Sequence, residues 1–167
     1  MKTFVISDTH YGHANIIKFC NRSFASVEEM DVKMVEAWNS VVSPNDLVIH
    51  NGDFSFYKQD TGIFAQLKGR KILIRGNHDH TVNRNLGWET VKDYHEFNHN
   101  GRFVVMMHYP IESWNKKFHN SVHLYGHVHD THMPKIANRH NICVEAIGYA
   151  PVEIEEFTTL FEETSVT

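Results

Sequence analysis

Cysteine is scarce in this chain. Of 167 residues only Cys20 and Cys143 are cysteine, too few for a disulfide framework and without a CxxC metal spacing. Both are expected to be buried thiols. Proline (four) and glycine (nine) are sparse, and no low-complexity tract, internal repeat or linker-like stretch interrupts the chain. Residues 1–167 are therefore expected to form a single domain, a length that suffices for one continuous core. No apolar run approaches the roughly 20 residues of a membrane span. The opening Met1-Lys2-Thr3-Phe4-Val5-Ile6 meets Ser7 and Asp8 before a signal peptide could be completed. A cytoplasmic protein with no membrane partner is the expectation. Positive charge is not in excess either. The net charge of −4 lacks the basic field that dominates nucleic-acid affinity, which counts against duplex nucleic acid as a partner.

What the chain has in excess is histidine, 14 residues dispersed along its length. Their positions make sense only against the strands. Phe4-Val5-Ile6, Leu47-Val48-Ile49 and Lys71-Ile72-Leu73-Ile74 read as short buried strands, and Val122-His123-Leu124-Tyr125, Ile142-Cys143-Val144 and Val152 to Phe157 as further ones. Val91 to Phe97 and Arg102 to Met107 read as a hairpin, because Asn100-Gly101 suits a type I′ turn. Ser26-Val27-Glu28-Glu29 resembles a capping box and opens a helix to about Val42, with Val27, Met30, Met34, Val35, Trp38, Val41 and Val42 largely on one face. Ser43-Pro44 stops it. A short helix is expected from Ile63 to Leu67, closed by Gly69. Early strands interleaved with helices, then hairpins, indicate an α/β protein with mixed sheets.

Five apolar runs end in residues able to bind metal: Asp8 and His10, Gly52-Asp53, Gly76-Asn77-His78-Asp79, His108, and Gly126-His127-Val128-His129. A lone Asp after a strand is ordinarily a turn former and a lone His a satisfied or solvated group. Five such ends in one chain are not explained that way, and in open α/β sheets strand ends converge on one crevice. Gly52, Gly76 and Gly126 would let the backbone turn sharply and approach a ligand closely.

In that order, D-x-H, G-D, G-N-H-[DE], H and G-H-x-H, these residues resemble the calcineurin-like metallophosphoesterase family, with the match running from Asp8 to His129. The opening Ser7-Asp8-Thr9-His10-Tyr11-Gly12-His13 looks like the small single-domain members of bacteria and phages. The resemblance implies a β-sandwich of mixed sheets flanked by α-helices. It also implies two divalent metal ions, Mn²⁺ foremost and Fe²⁺, Zn²⁺ or Ni²⁺ as alternatives. Asp8, His10, Asp53 and His129 would hold one ion, and Asp53, Asn77, His108 and His127 the other, with Asp53 bridging. A carboxylate suits a bridge because each oxygen can bind a different ion. Two ions about 3.5–4 Å apart can clamp the attacking and leaving oxygens of an in-line displacement, the nucleophile being a bridging hydroxide of lowered pKa. Two divalent cations outweigh two carboxylates and a hydroxide by about one charge, so an acidic chain can still attract phosphate. The implied activity is a metal-dependent phosphoesterase acting on a small phosphoester, by preference a phosphodiester or nucleotide.

By the same resemblance His78 would lie over the phosphate and protonate the leaving oxygen. The family's protein phosphatases pair the equivalent histidine with an acidic residue three positions after the bridging aspartate. Here that position is Phe56, so either Asp79 orients His78 or no group does, and a phosphoprotein substrate is disfavoured. His13 and His80 adjoin the motifs as substrate-contact candidates. Arg22, Arg75 and Lys116-Lys117 are candidate phosphate contacts, and Tyr11, Phe54, Tyr57, Tyr109 and Trp114 candidates for stacking on a base. His50, His95, His99, His119, His123, His132 and His140 are expected to be structural or solvated. Two rival readings are a nuclease of the same family, for which the 38 residues after His129 leave little room, and a non-catalytic binding scaffold, which would be expected to have lost ligands. A helical HD-type phosphohydrolase is disfavoured, since His78-Asp79 follows a strand.

Overall fold

A computed structural model of the protein describes residues 1–159. Strands β1 (Thr3–Ile6), β2 (Leu47–His50), β3 (Arg70–Ile74) and β4 (Thr90–Lys92) run parallel, and β9 (Val152–Glu153) closes the far edge antiparallel to β1, giving the order β4-β3-β2-β1-β9. A second sheet holds β5 (Tyr94–His99), β6 (Arg102–Met107), β7 (Val122–Tyr125) and β8 (Arg139–Asn141) in that order, with β5 antiparallel to β6 and the rest parallel.

The period of two along each strand assigns its side chains to opposite faces. Val5, Ile49 and Ile74 of the first sheet pack against Val104, Met106, Val122 and Leu124 of the second, which makes the sandwich. Phe4, Ile6 and Val48 point the other way and meet helix α2 (Val27–Val41) through Met30, Met34 and Trp38. Ser26 caps that helix by accepting from Glu29 N–H at 3.1 Å, and the Glu29 carboxylate reaches back to Ala25 N–H at 2.7 Å. The mixed-sheet sandwich with flanking helices agrees with the expected fold.

Several local expectations are corrected. Val91 to Phe97 is not one hairpin arm: it breaks at Asp93, β4 ending the first sheet and β5 beginning the second. The Asn100-Gly101 turn itself holds, both residues having positive φ (49° and 87°) between paired His99 and Arg102. Ile142-Cys143-Val144 is not a strand; Cys143 makes one bridge to Ser7 and caps helix α5 (Val144–Ile147). Only Val152 and Glu153 of the last expected strand pair, and α6 (Glu155–Thr158) follows. Val41 faces solvent. Helices α1 (Ala14–Phe19) and α4 (Thr81–Arg84) were not anticipated, whereas α3 (Ile63–Gln66) was.

Candidate metal centre

The loops after β1, β2 and β3 leave one edge of the first sheet, and those after β6 and β7 leave the matching edge of the second. Backbone bonds join them: Asn51 N–H donates to Ile6 O, Asp8 N–H to Gly52 O, His10 N–H to Asp53 O and Gly126 N–H to His108 O, at 2.7–3.0 Å. The buried Asn51 amide ties the sheets together by donating to Met107 O (3.0 Å) and Leu124 O (3.3 Å). A Cβ at Gly52 would stand 2.6 Å from Gly76 N and His108 Nδ1, and one at Gly76 would collide with Asp53, so glycine is required where these loops touch. The chain adopts left-handed backbone at five of the implied ligands: Asp8, His10, Asp53, His127 and His129, with φ between 52° and 72°.

The seven implied ligand residues come together in this arrangement. Asp8 Oδ2 accepts from the Ser7 hydroxyl, His127 N–H (2.9 Å) and the Cys143 thiol (3.2 Å). Its Oδ1 is left buried without a hydrogen-bond partner, 3.6 Å from His10 Nε2 and 3.7 Å from His129 Nε2. His10 Nε2 is likewise buried and unbonded, 3.5 Å from Asp53 Oδ2. Buried polar atoms without partners are costly, and donors held tetrahedrally about 2.0–2.2 Å from one ion lie about 3.3–3.6 Å apart. The orphaned atoms therefore fit a cation. On the other side Asp53 Oδ2 is 3.5 Å from His108 Nε2, and Asn77 Oδ1 lies 3.2 Å from His108 Nε2 and 2.9 Å from His127 Nδ1. Asp8, His10 and His129 form one potential metal-binding group, and Asp53, His108 and His127 another.

Asp53 departs from the expected bridge in one respect. Its Oδ1 accepts the His78 backbone N–H at 2.8 Å, so a single oxygen, Oδ2, faces both groups.

Burial and the neighbouring charges compete at these side chains. Burial opposes charge on Asp8 and Asp53, yet hydrogen bonds and charges of the surrounding histidines hold both carboxyls below the usual range. Burial likewise opposes charge on His108, but the Asp53 hydrogen bond and the two carboxylates lift it to about 9. His108 Nδ1 donates to Asn51 O at 2.8 Å, which leaves Nε2 as the atom facing the centre.

A support that the motifs did not reveal is the pair Arg22–Glu145. Glu145 Oε1 lies 3.1 Å from His129 Nδ1 and 2.7 Å from Arg22 Nη2. Arg22 is buried and also donates to Thr9 O and Asp8 O, so it braces the ligand loop and is not a phosphate contact. No short motif spans residues 22 and 145; only a buried cation's need for a partner hints at it.

Asp79 does not face the His78 ring. Its carboxylate accepts Asp53 N–H (2.8 Å), Phe54 N–H (2.9 Å) and Gly76 N–H (2.8 Å) and is also bound by Asn83, locking the second and third loops together. Burial pushes its pKa up. The ring of His78 is instead packed by Phe56, with centroids 4.8 Å apart, and Phe56 stacks on His13 at 3.7 Å. Tyr11, Phe54 and Trp114 are buried, and Tyr57 donates to Asp31, so of the aromatic candidates Tyr109 alone is exposed at a cleft by the ligands. Lys117 donates to Glu112 O and Lys116 sits over Phe103, away from the site. His50 and His123 are buried structural groups, as expected.

The model of the calcineurin-like phosphoesterase superfamily domain matches residues 1–148. An uncharacterised protein of Methanocaldococcus jannaschii is 34% identical over 175 residues, covering 99% of this chain and 94% of that one. The gene 66 protein of Mycobacterium phage L5 is 39% identical over 89 residues, covering 49% of this chain and 42% of its own length. Among solved structures, a protein of unknown function from Aquifex aeolicus superposes with a TM-score of 0.75 at 24% identity, over 93% of this chain and 96% of that one, and so shares the fold.

Proposed function

We propose that this chain, which belongs to the calcineurin-like phosphoesterase superfamily, acts as one domain that hydrolyses a small phosphodiester or nucleotide at a dinuclear metal centre. Membership makes it a metal-dependent hydrolase of phosphoester bonds; the number of ions and the substrate are the proposal. The observation that carries the dinuclear reading is the position of Asp53 Oδ2, 3.5 Å from His10 Nε2 on one side and 3.5 Å from His108 Nε2 on the other. One oxygen lies between two donor groups. Asp8, His10 and His129 would complete one set, and Asn77, His108 and His127 the other. The mixed N/O donor set suits borderline or hard divalent ions such as Mn²⁺, Fe²⁺, Zn²⁺ or Ni²⁺. When bound, such ions supply Lewis acidity to the phosphoryl oxygens and lower the pKa of water.

The residues of the chain do the remaining work. Asp8 and Asp53 fix the negative charge that holds the site's cations, and Glu145 sets the tautomer of His129 by taking its Nδ1. His78 is tethered by its backbone to Asp53 Oδ1 and by its ring to Phe56, leaving its imidazole to deliver a proton to the leaving oxygen as water adds to phosphorus and the ester bond breaks. Asp79 acts as a positioning residue for the loops that carry Asp53 and Asn77. The net charge of −4 and Phe56 in place of an acidic residue favour a small substrate over duplex DNA or a phosphoprotein.

The test is a comparison of kcat/KM for bis-nitrophenyl phosphate, cyclic nucleotides, nitrophenyl phosphate and a short duplex, with each candidate metal, at low and moderate salt. Small diesters should be cleaved best. A duplex cleaved best, at rates falling steeply with salt, would replace this reading with a nuclease.

A further inference from the structure

Beside the second ligand group opens a cleft of about 450 Å³, within the usual ligand-pocket range of roughly 300–1,000 Å³. Asn77 and His108 line it together with Arg75, Arg84 and Tyr109, and so do the acids Asp79 and Asp93. Asp8, His10, Asp53 and His129 are absent from the lining. The cleft thus extends outward from one ligand group and does not cover the Asp53 oxygen between the two.

The two guanidiniums are placed differently. Arg75 is paired with the exposed Asp93 at 2.7 Å. Arg84 has no acidic partner among the described residues: its Nη2 donates to the Thr81 hydroxyl at 3.1 Å, and its Nε is buried without a hydrogen-bond partner. A shallower groove continues past both arginines to Lys92, whose ammonium lies 3.0 Å from His95 Nδ1 and not against an acid. A chain of net charge −4 thus gathers Arg75, Arg84 and Lys92 along clefts that also hold Asp79 and Asp93 and that reach two of its candidate ligands. A guanidinium at a cleft without an acidic partner is suited to a phosphate oxygen pair, which it can bind through its terminal Nη groups, the Nε being buried.

We infer that Arg84, assisted by Arg75, binds a second phosphate of the substrate, one that is not hydrolysed. In the reading above the scissile group lies at the candidate metal ligands, of which Arg84 is not one, so the phosphate assigned to Arg84 is a second one. The substrate class is then a short nucleotide carrying two phosphates, such as a dinucleotide with a terminal phosphate. Tyr109, 40% exposed at the same cleft and packed edge-to-face with His108 and His127, would contact a base between them. This inference rests on the phosphoesterase reading above.

The experiment compares the dinucleotide ApA, its 5′-phosphorylated form pApA and bis-nitrophenyl phosphate on the metal-loaded native protein, Arg84→Ala and Arg84→Lys. Native protein should prefer pApA over ApA by about 10–100-fold in kcat/KM, chiefly through KM, the range expected for a hydrogen bond to a charged group. Arg84→Ala should abolish that preference and leave ApA and bis-nitrophenyl phosphate unchanged, while Arg84→Lys keeps part of it. Calorimetric titration of pApA into metal-free protein should show the same loss on Arg84→Ala without any turnover. No preference for pApA in the native protein, or equal losses on all three substrates, would overturn the subsite while leaving the phosphoesterase reading intact. Failure of the native protein to hydrolyse any of the three would overturn both.

Discussion

Replacing Asp53 with Asn tests the centre where its two halves meet. The amide oxygen can keep the bond from His78 N–H, now at 2.8 Å, which turns the amide NH2 toward His10 and His108. That group has no lone pair and no charge to offer a cation, so in the proposed dinuclear centre both sites would lose a ligand at once. Substituting a residue that merely supports a metal ligand costs about 10–100-fold in affinity, so a shared ligand should cost at least ~100-fold at each site. With metal at 100 times Kd, binding stabilises the fold by about 2.7 kcal/mol per site, or ~5 kcal/mol for two. If each Kd rises 100-fold at the same metal concentration, the gain falls to about 0.4 kcal/mol per site. For a chain of this size 1 kcal/mol moves Tm by about 2–4 °C, so the metal-induced rise should shrink from about 10–20 °C to ~2–3 °C. Thermal scans with and without Mn²⁺, together with a metal count on the purified variant, measure it. Asp53→Asn retaining a rise above ~10 °C, or losing only one ion, would refute the bridging role.

Three further outcomes are expected. Glu145→Gln should weaken one ion by about 10–100-fold and spare the other, seen as two unequal affinities in a metal titration. His78→Gln should lower kcat by roughly 100-fold on alkyl-type leaving groups and clearly less on nitrophenyl esters, while metal content stays unchanged; an equal loss on both would assign His78 to charge stabilisation instead. Burial lowers the pKa of His50 to about 3 and of His123 to about 4, so both must be neutral in the fold. Their contribution to stability is complete above the unfolded value of about 6.5 and is lost as pH falls from there toward 4, and His123→Gln should flatten part of that slope in pH-dependent unfolding.

The candidate ligands are legible in the sequence because each lies past a short buried strand, which shows as an unbroken apolar run. Asp8, Asp53, Asn77, His108 and His127 were visible for that reason. What supports them was not. Arg22 and Glu145 are 123 residues apart and meet only through the fold. The roles of Asp79 and Phe56 depend on which way a side chain turns within a loop, which spacing does not encode. Ile142-Cys143-Val144 misled because a short apolar run fits a strand or a buried helix start equally well. Helices α1 and α4, at six and four residues, are too short to display a period.

The left-handed backbone at Asp8, His10, Asp53, His127 and His129 has a consequence for anyone selecting variants of this protein. Side chains that bear a Cβ carry a cost in that conformation, of order 1–3 kcal/mol where the surroundings enforce it. At these positions the residue best suited to the backbone is glycine, which cannot hold a metal ion. A library screened for heat resistance in chelator would therefore be drawn toward glycine at the ligands and would enrich stable, inert chains. If these residues hold metal as proposed, the same library screened in metal would be drawn back, because metal binding would then offset the conformational cost of each ligand. Metal supply during selection, more than the choice of parent sequence, would decide whether chemistry survives the search for stability.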